Sequence, residues 1–202
     1  MLSIDDLATY WGRRAEQPGD IHYLALGDSL TQGYGAGSPA QSFVSTLAGL
    51  LTDATGASVA VTNLAVCGAR LEDLVIDQLP ALARLRPDVV TVCIGTNDAT
   101  HTDPDRFRDV FTRLCDTLPN GTFVADVPDF QGGHGDDEAR ELSAIIREVV
   151  AARPALVPVA VQAATAGMTV TEFGTGFAHP DDVGYQRYTR AFWEAMEPAL
   201  LR

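Results

Sequence analysis

A serine hydroxyl attacks a carbonyl only if it is exposed, has a base within reach and lies beside donors for the developing oxyanion. Ser29, in Gly27-Asp28-Ser29-Leu30, follows an apolar run and precedes Gly33, Gly35 and Gly37. A strand-end turn of this kind supplies the exposure and one donor, the Ser29 N–H. For an isolated Asp-Ser pair the plainer account is a helix-capping serine. Asn97, within Gly95-Thr96-Asn97-Asp98, carries an amide that can donate to an oxyanion, and Gly68 lets a backbone N–H come close to a ligand. Each alone is an ordinary turn residue; at three successive strand ends together, the turn account is strained. There are four histidines, His22, His101, His134 and His179. His22 starts the first apolar run, at the end away from the turns, and His101 and His134 lie in polar loops. His179, just before Pro180 at the start of the last helical segment, is the candidate general base.

Other chemistries fit poorly. Thr31 stands where a Gly-x-Ser-x-Gly elbow needs its second glycine. Gly33-Tyr34-Gly35-Ala36-Gly37-Ser38 starts like a dinucleotide fingerprint, but Ser38 replaces the third glycine and no lysine follows in Walker spacing. No histidine pair has metal-ligand spacing, and Cys67, Cys93 and Cys115 do not complete a zinc set, so no metal site is expected. The three cysteines sit in apolar neighbourhoods and read as small buried hydrophobes in a reducing compartment.

The elements that must position these residues are visible in the apolar patterning. Short β-branched runs at His22–Leu26, Val59–Leu64, Val89–Ile94, Phe123–Val127 and Leu156–Val161 predict buried strands of a mainly parallel, five-stranded sheet. Between them run apolar stripes of helical period. Phe43, Val44, Leu47, Leu50 and Leu51 form one, and Leu71, Leu74 and Val75 begin another that Pro80 interrupts. Three more are Phe107–Leu118, Leu142–Val150 and Tyr188–Leu200. Strand–helix alternation predicts an α/β fold, a three-layer α/β/α sandwich in one domain over residues 1–202, with residues 1–20 as an N-terminal helical extension. In such folds ligands bind outside the carboxyl ends of the strands, where the candidate residues fall.

Composition agrees and excludes alternatives. The chain has 202 residues, 46% hydrophobic and 20% charged, with 18 Gly and 11 Pro, which suits a globular domain and excludes disorder and collagen-like character. Asp and Glu number 27 against 14 Lys and Arg, a formal net charge of −13 that disfavours nucleic acid as a partner. No basic, apolar leader and no long apolar segment is visible, so membrane insertion is not expected and a cytoplasmic location is.

Taken in order, Gly27-Asp28-Ser29-Leu30, Gly68 within Asn63-Leu64-Ala65-Val66-Cys67-Gly68, Gly95-Thr96-Asn97-Asp98, and His179-Pro180 followed by Gly184 resemble the four sequence blocks of the SGNH, or GDSL-type, esterase/lipase family. The resemblance runs from about His22 to the last helix. It implies a flavodoxin-like sandwich, Ser29 as nucleophile, His179 as base, and an oxyanion hole of Ser29, Gly68 and Asn97. The family's usual Asp three residues before the histidine is replaced here by Gly176.

The expected activity is hydrolysis of a small or medium acyl ester through an acyl-enzyme, with a small-molecule ester as substrate and no cofactor. Acyl transfer, deacetylation of a carbohydrate or natural product, and a non-catalytic binding module are the alternatives. Asp28 and Asp98 are expected to fix loop geometry rather than move protons. A main-chain oxygen within Gly174–Ala178 is expected to orient His179, with Glu172, Asp126 and Asp129 as competing carboxylates; Asp181 and Asp182 are expected to cap the last helix. The glycine-rich segment Phe130–Asp137 is either a plain connection or a wall of the acyl pocket.

Overall fold

The fold is described from a computed structural model, for residues 2–174 and 179–200. Five strands, β1 (Ile21–Gly27), β2 (Val59–Asn63), β3 (Val89–Cys93), β4 (Phe123–Ala125) and β5 (Val157–Val159), form one sheet in the order β2-β1-β3-β4-β5. Every pairing is parallel, so each connection is a crossover and all five carboxyl ends lie on one edge of the sheet.

The crossovers carry helices α1 (Ile4–Ala15), α2 (Ser29–Gln32), α3 (Phe43–Thr55), α4 (Leu71–Asp73), α5 (Leu82–Leu85), α6 (Pro104–Thr117), α7 (Asp136–Ala151), α8 (Val161–Thr165) and α9 (Asp182–Leu200). Side-chain alternation along the central strand β1 divides the core in two. Leu24 and Leu26 pack with Phe107, Phe111, Leu142 and Ile146 of α6 and α7 on one face. Tyr23 and Ala25 pack with Leu7, Phe43, Leu47 and Phe192 of α1, α3 and α9 on the other. This is the three-layer sandwich expected, with the parallel sheet buried on both faces.

Three local departures have physical causes. The ladders of β4 and β5 are shorter than their apolar runs, because Val127 and Val161 are buried without strand pairing and Val161 already begins α8. Burial alone therefore overstated those strands. Pro158 stands within β5, which is tolerable because β5 is an edge strand whose outward N–H needs no partner. Between α4 and α5, Leu74–Gln78 forms a π-helical turn and Leu79–Ala81 a 3-10 turn. Pro80 lacks the N–H that would continue the α-helical ladder, and the widened turn accommodates it.

Among the described residues no helix is long and apolar enough to cross a membrane.

Candidate active site

Ser29 is the first residue of α2, directly after β1. Asp28 caps that helix: its Oδ1 accepts from the Leu30 N–H at 2.9 Å, and the Gly33 cap at the other end adopts φ 85°. A helix of four residues does not hold itself in place, so neighbours must. Trp11 of α1 donates its indole N–H to the Gln32 carbonyl at 2.9 Å, and Asn63 at the end of β2 donates to the Thr31 carbonyl at 2.8 Å. Below Asp28, Gln78 grips Gly27 at both backbone groups, accepting from its N–H at 2.9 Å and donating to its carbonyl at 2.8 Å. Gln78 belongs to the π-helical turn, and the widened turn is what carries this buried amide next to the end of β1.

His179 approaches from the segment that opens α9, and its Nε2 lies 2.9 Å from the Ser29 Oγ, across 150 residues of chain. The Tyr34 ring packs edge-on against the imidazole, with centroids 4.9 Å apart, and Tyr34 is itself anchored by the Tyr185 hydroxyl donating to its carbonyl at 2.7 Å. Gly35 (φ 99°) forms the floor beneath: a Cβ there would stand 2.5 Å from the Pro180 carbonyl oxygen and 2.8 Å from the His179 Cβ. Any side chain at position 35 would displace the histidine. Burial lowers the His179 pKa below its ordinary 6.5, so the imidazole is neutral at pH 7 and has a lone pair available.

The remaining donors lie in the turns after β2 and β3. Gly68 adopts φ 82° with open space where a Cβ would be, so it is the backbone conformation that calls for glycine there. Asn97 spends one Nδ2 hydrogen on the Ala69 carbonyl at 2.9 Å, which ties the two turns together and leaves its second hydrogen without a partner among the described residues. Asp98, buried, accepts from the Leu71 N–H at 3.0 Å and from the Thr102 hydroxyl at 2.9 Å, holding the same pair of turns. Both Asp28 and Asp98 therefore serve loop geometry.

Burial pushes the Asp28 pKa up to about 7, and its Oδ2 has no hydrogen-bond partner among the described residues. Asp98 is also raised by burial.

The carboxylates considered as partners for His179 are committed elsewhere. Asp126 accepts from Arg147 and from the Gln162 N–H, each at 2.8 Å. Asp129 accepts from the Gln131 N–H at 2.8 Å. Glu172 pairs with Arg187 and accepts from the Thr169 N–H at 2.8 Å. Among the described residues none donates to or accepts from the His179 Nδ1. Of the main-chain oxygens expected within Gly174–Ala178, those of residues 175–178, Gly176 included, lie outside the described residues, and Gly174, which is described, donates its N–H to the His179 carbonyl at 2.8 Å. Asp181 caps α9, accepting from the Val183 and Gly184 N–H groups at 2.9 Å each. Asp182, expected to cap too, instead accepts from the Gly37 N–H at 2.7 Å and ties α9 to the loop after α2.

Two cavities are lined by residues of the candidate set or by their chain neighbours. One, about 560 Å³, is lined by Leu30, Thr96 and Pro180, the chain neighbours of Ser29, Asn97 and His179, and by apolar residues including Phe130, Met168 and Phe173. His134 and Gln131 also line it, so the Phe130–Asp137 segment forms part of its wall. The other, about 640 Å³, is lined by Gly68, Arg70, Glu72, Asp73, Asp98, His101 and Arg106. A pocket wall was one of the two readings of Phe130–Asp137, whereas the charged cavity and the roles of Gln78, Trp11 and Tyr34 were not anticipated from sequence. The signal for Gln78 was an amide at helical spacing on the apolar stripe that Leu71, Leu74 and Val75 begin. Among the described residues no cluster of three metal-ligating side chains occurs.

Residues 25–187 match the model of the GDSL-like Lipase/Acylhydrolase family. No curated protein matches the chain. Among solved structures, a variant of an acetyl xylan esterase from Geobacillus stearothermophilus is 20% identical, with a TM-score of 0.74 over 88% of this chain and 94% of that one. A family 3 carbohydrate esterase from Clostridium thermocellum is 20% identical, with a TM-score of 0.72 over 89% and 96%. An alpha/beta hydrolase from the metagenome of Lake Arreo, Spain, is 19% identical, with a TM-score of 0.72 over 91% and 98%. At such identities the structures show a shared fold. The family match spans most of the chain, and the protein belongs to the GDSL-like lipase/acylhydrolase family of carboxylic ester hydrolases.

Proposed function

We propose that this esterase uses Ser29 as nucleophile and His179 as general base on small to medium acyl esters. The observation that supports it most is the 2.9 Å contact between Ser29 Oγ and His179 Nε2, with their chain neighbours Leu30 and Pro180 lining one cavity and Gly68 lining another. With its proton on Nδ1, the neutral imidazole accepts the hydroxyl proton as Oγ adds to the ester carbonyl. The oxyanion takes hydrogen bonds from the Ser29 N–H, the Gly68 N–H and the free hydrogen of the Asn97 amide. As the tetrahedral intermediate collapses, His179 returns the proton to the departing alkoxide and the alcohol leaves. Water then adds to the acyl-enzyme with His179 again as base, and the carboxylic acid and free Ser29 are released. No step in this sequence calls for a cofactor.

The same machinery would serve an ester of a carbohydrate. One observation favours a polar alcohol: the cavity beside Gly68 is lined by Arg70, Glu72, Asp73, His101 and Arg106. Two of the structural neighbours are described as esterases of acetylated xylan and of carbohydrates.

Ser29→Ala tests the assignment. Hydrolysis of 4-nitrophenyl acetate should fall by about 10⁴-fold or more with an unchanged circular dichroism spectrum and melting temperature. Hydrolysis at the parent rate would remove Ser29 from the mechanism.

A further inference from the structure

The cavity beside Leu30 differs from the rest of the site in what it offers a ligand. Its wall is mainly hydrocarbon: Leu30, Phe130, Met168, Phe173 and the Tyr188 ring line it, with Val170, 70% exposed, among them. The polar side chains in the wall are Thr96, Asp129, Gln131, His134 and the Tyr188 hydroxyl, and two of them are engaged within the wall itself. Asp129 accepts from the Gln131 N–H, and the Gln131 amide donates to the carbonyls of Asp129 and Thr165 at 3.2 and 2.7 Å. A sugar placed there would lose its hydrogen bonds to water and find few replacements, at a cost for each hydroxyl; a hydrocarbon chain would lose nothing. The charged cleft beside Gly68 has the opposite character.

Size makes the same distinction. An acetyl methyl occupies about 30 Å³, close to a water's share of liquid volume, and would leave most of the 560 Å³ cavity unfilled. Cavities of roughly 300–1,000 Å³ with apolar walls take ligands of many heavy atoms. Position supplies the remaining constraint. The acyl group stays bonded to Ser29 through the second half of the reaction, and Leu30, the next residue in the chain, is part of this wall.

We propose that the cavity lined by Leu30, Phe130, Met168, Val170, Phe173 and Tyr188 is an acyl-chain subsite, so that the substrates are esters of medium-chain or aryl-substituted acids rather than acetates. The inference rests on Ser29 being the nucleophile. Each methylene moved from water into such a wall is worth about fourfold in kcat/KM.

The test compares two ester series at matched leaving-group reactivity. With 4-nitrophenol fixed, kcat/KM should climb about fourfold per methylene from acetate to hexanoate, a total of roughly 10²-fold. With acetate fixed and the alcohol lengthened from ethyl to hexyl, it should stay within a few-fold. Val170→Trp, which thrusts an indole over the rim from an exposed position, should flatten the acyl slope. The hexanoate-to-acetate ratio within one preparation is independent of how much of the variant folds. Ser29→Ala separates the two levels: if it abolishes hydrolysis of acetate and the acyl series is nonetheless flat, the subsite is wrong and the nucleophile stands. A rising alcohol series with a flat acyl series would assign the cavity to the leaving group and overturn the proposal. Unchanged hydrolysis by Ser29→Ala would instead overturn the nucleophile on which the subsite depends.

Discussion

The two cavities lined from the strand-end turns are comparable in size and opposite in chemistry. One is lined mainly by hydrocarbon, from Leu30, Phe130, Met168, Val170 and Phe173; the other presents Arg70, Glu72, Asp73, His101 and Arg106. Both grow from the same strand ends, so their difference comes from the crossovers. The Phe130–Asp137 segment and the stretch from Met168 to Phe173 supply the apolar wall, and the turns after β2 and β3 supply the charged one. On the proposed reading, a shared catalytic line with contrasting flanks would sort the two halves of an ester by polarity. This gives a rule for variants: residues on the line should affect every ester alike, and residues on one flank should affect only one half of the substrate.

The largest expected effect lies on the line. His179→Ala should lower kcat by about 10⁴–10⁶-fold for all esters, whatever their acyl or alcohol group. A loss confined to one ester class would show that His179 binds substrate rather than moving its proton. Asn97→Ala should lower kcat by roughly 10²–10³-fold, again across both series, because one oxyanion donor is removed. Its amide also ties the Ala69 carbonyl, so the melting temperature should be followed in parallel.

The charged flank should give a smaller and more selective effect. Arg106 pairs with Glu72 at 2.8 Å, and both side chains are substantially exposed, so breaking the pair should change stability by no more than about 1 kcal/mol. Arg106→Ala should raise KM severalfold for acetylated sugars and leave 4-nitrophenyl hexanoate within twofold. Equal effects on both would erase the contrast between the flanks.

Two pH effects follow from burial. Because His179 is lowered below 6.5, the acid limb of kcat/KM should fall at a pH below 6.5. Asp28 is raised from 3.8 to about 7, so the folded state holds this proton where the unfolded chain has released it. Its contribution to stability is therefore present below pH 3.8 and lost as the pH rises toward 7. Asp28→Asn keeps an acceptor for the Leu30 N–H and removes the charge. Its melting temperature should exceed the parent's by a few degrees at pH 8 and match it at pH 3.

Much of this arrangement was legible in the sequence, for a simple reason. A parallel sheet buried on both faces writes each strand as a continuous apolar run, and a residue just past such a run must lie on the ligand edge. Ser29, Gly68 and Asn97 could be placed on one edge by that rule before any distance was known. His179 followed from its position at a helix start. The ends of β4 and β5 were not legible, since Val127 and Val161 are buried whether or not they pair. The grip of Gln78 on Gly27 depends on a π-helical turn whose register no apolar period reports. The support of α2 by Trp11 lies in the helical extension, before residue 25 where the family match begins. The contrast between the cavities was hidden for another reason: it depends on which side chains the crossovers bring together around each cavity, and composition does not record that.

The central claim is that Ser29 is a nucleophile activated by His179. It is tested most directly by treating the intact protein with a fluorophosphonate and locating the adduct by peptide mass spectrometry. The account predicts one phosphonyl group on Ser29, with loss of esterase activity in step with labelling and slow or absent labelling in His179→Ala. Modification of a different residue, or full activity in protein stoichiometrically labelled at Ser29, would contradict it.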